Sequence, residues 1–168
     1  MPWFQNYSAC IGIEVINRNT VFPELWDNIN QRLFAEDGRF VWGFANDDMH
    51  GTSELYRSFQ FMLMPELSES ALRQSKRNGA FYFCNEPGGS GDARVPRIQN
   101  ISVSNSSHTI AIEASGYQSI TWLTLGTDAV GTGTTFDFSS LPDKSFVRAR
   151  LNGKNGTCFT QPFGITEQ

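Results

Sequence analysis

The sequence predicts an α/β layer over residues 1–86 and a small antiparallel β-sandwich over residues 97–168, joined by a linker at 87–96. Three observations carry this division. Up to residue 84, apolar runs of strand length alternate with amphipathic stretches of helical period. Residues 86–97, EPGGSGDARVPR, concentrate glycine and proline. Beyond them no helical period survives, and short alternating stretches recur between turn residues.

The first strand is CIGIEVIN, residues 10–17, β-rich and largely apolar. FPELWDNINQRLFAEDG (22–38) follows as a helix, because Trp26, Ile29, Leu33 and Phe34 share one face, Pro23 sits in the first turn and Gly38 lies past the end. FVWGFA (40–45) is a short, nearly all-apolar strand. A polar loop leads from it to a further strand, SFQFMLM (58–64). LSESALRQSKRNG (67–79) is a second helix, with Ser68 as N-cap, Glu69 in the first turn, basic residues in the last turn and Gly79 as its stop. AFYFC (80–84) returns as a strand. Continuous apolar strands between amphipathic helices predict a sheet with helical cover. About four strands and two helices are too few to close a (β/α) barrel, so the layer is expected to be part of a larger one.

After the linker, RIQNISVS, HTIAIEAS, SITWLTLG, TTFDFSS, FVRARLNG and TCFTQPF read as six or seven short strands, with NGKNG as the turn between the last two.

Thirteen basic against seventeen acidic residues give a net charge of −4, and no Lys/Arg stripe accompanies the aromatic residues, which excludes a phosphate-backbone partner. No apolar run is long enough to cross a bilayer. The opening MPWFQNYSACIGIEV lacks a basic stretch followed by an apolar one, so no secretory signal is visible in it. Cys10, Cys84 and Cys158 are odd in number and widely spaced, which predicts buried thiols in a reducing, cytoplasmic setting. The N-x-[ST] triplets at Asn6, Asn100, Asn105 and Asn155 are patterns that Ser/Asn-rich loops produce readily.

Chemistry concentrates in WGFANDDMHG, residues 42–51, where an apolar strand ends in two acids, an asparagine and one of the chain's two histidines. Asp48 and His50 are two apart, so an extended backbone would turn both side chains to one side, where a carboxylate and an imidazole could share a cation. Asn46 and Asp47 could support them or simply end the strand, and Glu14, in the strand GIEVIN, could face the site or pair locally. Arg57 follows the loop as a possible phosphate contact, with Arg94 and Arg97 flanking the linker. Solvated surface is the commoner fate of such residues. His108, in NSSHTIAIE, reads as an exposed strand end. Trp26, Trp42 and Phe44 read as core. PGGSG (87–91) lacks the G-K-[ST] ending of a phosphate loop.

The order of GIEVIN, a helix containing ELWD, GRFVWGFANDDMHG, an aromatic strand and LSESALRQSKRNGAFYF resembles the last third of PHP-family (polymerase and histidinol phosphatase) phosphoesterases, over residues 10–84. The tail, with ITWLTLGTDAVGTG, FVRARL and TQPF, is more loosely similar to a sandwich that some members append. The resemblance implies the C-terminal part of a PHP barrel, with Asp48 and His50 as the closing ligand pair of a two- or three-metal site of zinc, manganese or iron. Its substrate would be a phosphorylated small molecule. This sequence has no H-x-H pair, with which the family's ligand set begins, so the chain alone is expected to be inactive or nearly so. A truncated architecture is the expected cause. The alternatives are a halved protein completed by a partner chain and a degenerate homologue kept for its sandwich; the open edge is expected to be covered by the sandwich or by a second copy in a dimer. The other reading is a non-catalytic binding or interaction protein in which the sandwich is the working part.

Overall fold

The structure, a computed structural model, describes residues 2–89, 94–126 and 128–166. It has three layers. The first holds α1 (Pro2–Asn6), β1 (Gly12–Asn17), β2 (Thr20–Val21), α2 (Pro23–Asp37) and β3 (Trp42–Asn46), with strand order β2-β1-β3. The central layer is a sheet that takes β4 (Ser58–Met62) and β5 (Phe81–Asn85) from before the glycine-rich stretch. It takes β8 (Tyr117–Leu123), β9 (Ala129–Thr132), β11 (Ser145–Gly153) and β12 (Thr157–Thr160) from after it, in the order β4-β5-β12-β11-β8-β9, with β13 (Phe163–Ile165) on the start of β11. The third layer is the sheet β10-β7-β6, from β6 (Arg97–Ser104), β7 (Thr109–Ser115) and β10 (Thr135–Asp137). Between β4 and β5 lies α3 (Glu69–Asn78).

Both predicted helices form where their signals lie. Pro23 opens α2, and Gly38 closes it in the left-handed region at φ 66°. The Ser68 hydroxyl accepts from the Ala71 N–H at 3.2 Å to cap α3. Gly79 ends α3 at φ 68° and is required twice over, because a Cβ there would also lie 2.8 Å from the Trp42 ring.

The predicted partial (β/α)-barrel layer is corrected by this topology. Among the described residues only β1 and β3 pair in parallel; β4 and β5 pair antiparallel with one another, and β5 pairs antiparallel with β12. The protein is mainly β. The boundary at 87–96 does not divide the central sheet, and residues 90–93 of that stretch lie outside the described residues. The source of the difference is β5, whose residues are buried at all five positions. A continuous apolar strand needs cover on both faces, and helices are one way to supply it. Here the α/β layer covers one face and a second sheet covers the other.

Alternation along the central strands sorts the side chains between two cores. Tyr82, Cys84, Val147, Ala149, Leu151 and Cys158 face the outer sheet and pack with Ile98, Ile110, Ile112, Trp122 and Phe136. Phe83 and Phe159 face the other way, onto Val15, Ile16, Trp26 and Ala45. Cys84 and Cys158 are buried as predicted, but they are joined in a disulfide; Cys10 is free.

The outer edge of β3 would present unpaired main-chain groups, and two glutamines close it. The Gly43 N–H donates to Gln161 Oε1 at 2.8 Å, and Gln161 Nε2 donates to the Gly43 carbonyl at 2.9 Å. Gln60 Nε2 donates to the Ala45 carbonyl. A Cβ at residue 43 would sit 2.7 Å from the Phe83 ring, so glycine is what lets the strand lie this close to the sheet. Gln161→Ala is expected to cost about 1–3 kcal/mol by orphaning two buried backbone groups, read as a lower denaturation midpoint at unchanged slope.

Candidate functional site

The loop after β3 brings Asp48 and His50 close, but not as a ligand pair. Asp48 takes φ 46°, so the backbone is not extended there and the two-residue alternation fails. Arg18 fills the space between them. Its Nη2 lies 2.6 Å from His50 Nδ1 and 2.9 Å from the Asp48 carbonyl, while its Nε lies 3.7 Å from the Asp48 carboxylate. His50 Nδ1 also lies 2.8 Å from the Asp48 carbonyl, so this ring nitrogen is engaged within the loop. The acids round this loop are occupied by neighbouring donors. Asp47 accepts the N–H groups of Tyr56, Arg57 and Ser58 at 2.7–2.8 Å and so folds the loop. Glu14 accepts from Asn46 at 2.8 Å and from Asn17 at 3.2 Å, so Asn46 supports Glu14 rather than His50. The Arg57 Nη2 turns back to the Ser53 carbonyl at 3.4 Å.

This donor set does not fit a divalent cation, because the position such an ion would take carries a fixed positive charge. No group of three or more His, Cys, Asp or Glu side chains able to hold a metal occurs among the described residues.

Glu54 fastens the loop. Its carboxylate accepts the His50 N–H at 2.6 Å and faces Arg18 at 3.5 Å. The His50 N–H first, and then the Arg18 charge, hold the Glu54 carboxyl below the usual range. A folded value below the unfolded one contributes stability above the ordinary glutamate range, and that contribution is lost as pH falls through the depressed value. The stability difference between wild type and Glu54→Gln should therefore be present at about pH 6 and close towards about pH 3, as followed by denaturant titrations.

A second place is concave. The β6–β7 turn, the β10–β11 loop and β13 enclose a groove of about 690 Å³. Ile110, Phe138, Leu141, Phe163 and Ile165 make its apolar floor, and Asn105, His108, Ser139, Asp143 and Thr166 bring polar groups to its rim. A smaller hollow of about 330 Å³ adjoins it, sharing Val103 and Phe163 and running towards Leu63 and Ala80. Backbone hydrogen bonds fix the walls. Phe138 N–H donates to the His108 carbonyl at 2.8 Å, Leu141 N–H to the Phe138 carbonyl at 3.0 Å, and Lys144 N–H to the Ile165 carbonyl at 2.9 Å. His108 and Lys144 sit in left-handed turns, at φ 52° and 56°. The His108 ring stands edge-on to Phe138, with centroids 5.6 Å apart. The Ser139 N–H donates to Asp137 at 2.8 Å and holds that carboxyl below the usual range.

No protein-family model matches the chain, and no curated protein or solved structure matches it either. The two places thus stand on their own geometry. Sequence reasoning singled out the loop and passed over the groove, although His108 is exposed as read. The groove's residues come from three separated segments, so no local pattern in the sequence announced it.

Proposed function

We propose that this is a non-catalytic binding protein whose groove between the β6–β7 turn, the β10–β11 loop and β13 takes a small amphipathic molecule. The carrying observation is the groove's size and lining. About 690 Å³ falls within the usual range for small-ligand sites, and an apolar floor with polar groups beside it is their usual composition. The hydrogen-bonded walls support a preformed site, which lowers the ordering cost of binding. An apolar body would lie on Phe138 and Phe163, with hydrogen-bonding groups turned to Asn105, Ser139 and Thr166.

A fluorescent apolar reporter dye tests this, titrated into wild type and into Val103→Trp, which places bulk at a half-exposed position on the shared wall. The account expects saturable binding that weakens at least about tenfold in the variant, with circular dichroism unchanged. In parallel, phosphate-ester hydrolysis with added zinc or manganese should stay at the buffer rate. Hydrolysis that disappears in Asp48→Asn/His50→Asn would favour the phosphoesterase reading instead.

A further inference from the structure

Cys84 and Cys158 face each other directly across β5 and β12, as Cα partners 4.1 Å apart. Both are 0% exposed and belong to the same buried cluster as Tyr82, Val95, Ile98 and Leu151. Their disulfide spans a sequence separation of 74 residues and ties the strand before the glycine-rich stretch to a strand near the C-terminus. Exchange at a disulfide requires a thiolate to reach a sulfur atom, and in the folded protein the outer sheet covers both.

We propose that this bond is installed while the chain folds, by exchange with an external disulfide, and that the chain therefore folds in an oxidising compartment. The oxidant is the disulfide of a thiol–disulfide oxidoreductase or of oxidised glutathione. One Cys thiolate attacks it to form a mixed disulfide, and the second Cys thiolate displaces the carrier thiol. Two S–H bonds and one S–S bond are lost and the same number form, so the two electrons leaving the cysteines reduce the carrier. The reaction has to precede closure of the outer sheet over β5 and β12. After closure the sulfurs are sealed, and the bond acts as a lock that records where folding took place rather than as a switch. Cys10 lies in the other layer, partly buried, and is left as the free thiol. The Pro96 carbonyl stands 3.3 Å from Cys158 Sγ, an acceptor that only an unbridged thiol or a hydroxyl can use. Cys158→Ser is for that reason the gentlest variant.

The test uses the full chain, refolded from guanidinium in a mixture of reduced and oxidised glutathione. It is then denatured without reductant in N-ethylmaleimide and weighed by mass spectrometry. The expected product carries one maleimide, on Cys10, and has lost two hydrogens; three maleimides would overturn the proposal. Cys10→Ser should carry none. Cys158→Ser, if it folds, should show no Cys84–Cys10 bridge. The timing is read separately, by exposing the folded, bridged protein to a phosphine reductant. The bond should persist until denaturant approaches the unfolding midpoint, and rapid loss in the native state would contradict the folding-time lock. Protein made in a reducing cytosol should unfold at lower denaturant than protein made in an oxidising one. Equal midpoints, with all three thiols free in both, would overturn the compartment assignment.

Discussion

Replacing Arg148 by alanine should destabilise the protein by about 3–5 kcal/mol, a large part of the stability of a domain this size. Arg148 sits on β11 with its side chain directed away from the sandwich core, and meets Asp27 of α2 with both groups 1% exposed. Its Nε donates to Asp27 Oδ1 at 2.8 Å and its Nη2 to Oδ2 at 2.6 Å, while Nη2 also reaches the Gly126 carbonyl at 3.0 Å. The guanidinium lies over Trp26 and Phe159, 5.4 and 5.8 Å from their rings. Its planar fork matches the carboxylate, and the rings replace part of its hydration.

The cost of the variant comes mainly from the carboxylate left behind, not from the net value of the pair. Burial pushes the Asp27 carboxyl up from its ordinary value, and the Arg148 hydrogen bonds and charge pull it part of the way back. A folded value above the unfolded one means that the folded state binds the proton more readily. The contribution of Asp27 to stability is then full below the unfolded value and declines as pH rises through the folded one. Without Arg148 the folded value rises further, so the deficit of Arg148→Ala should be larger at about pH 8 than at about pH 5. Denaturant titrations at both values read this directly. A double variant, Asp27→Leu with Arg148→Met, should recover much of the loss, because it removes both charges together.

The second large effect is that of the disulfide. Loop-closure entropy for a separation of 74 residues corresponds to roughly 4 kcal/mol. Cys158→Ser should lose about that much, with little change in the folded core because the new hydroxyl finds the Pro96 carbonyl as an acceptor. Comparing guanidinium midpoints of the bridged wild type and the variant measures it. A difference below about 1 kcal/mol would mean that the unfolded chain already holds β5 near β12.

The sequence carried the local elements well because their signals are local. Pro23 and Gly38 bound α2, Ser68 and Gly79 bound α3, and the apolar runs mark β1, β3, β4 and β5 at nearly their observed positions. Pairing was not legible. FYFCN states that both faces of β5 are covered, but whether by helices or by a second sheet depends on residues some 75 positions away in TCFT. The glycine-rich stretch marked a change of periodicity, which the sheet then crosses. At the loop, D-x-H implied alternation, yet alternation holds only in extended backbone and Asp48 is not extended. Arg18 lies 30 residues before Asp48, so nothing in the motif announced that a guanidinium would stand between its two side chains. The cysteine pairing failed for the same reason, since spacing along the chain says nothing about a register in which residue 84 faces residue 158.

The most direct test of the binding account is ¹H–¹⁵N correlation spectroscopy of the labelled protein, titrated with a set of small amphipathic molecules. The account predicts that the shifts produced by those that bind converge on the backbone of Asn105, His108, Ser139, Leu141 and Phe163, and that they saturate. Shifts confined to the loop of Arg18, Asp48 and His50, or scattered over the surface without saturation, would contradict it.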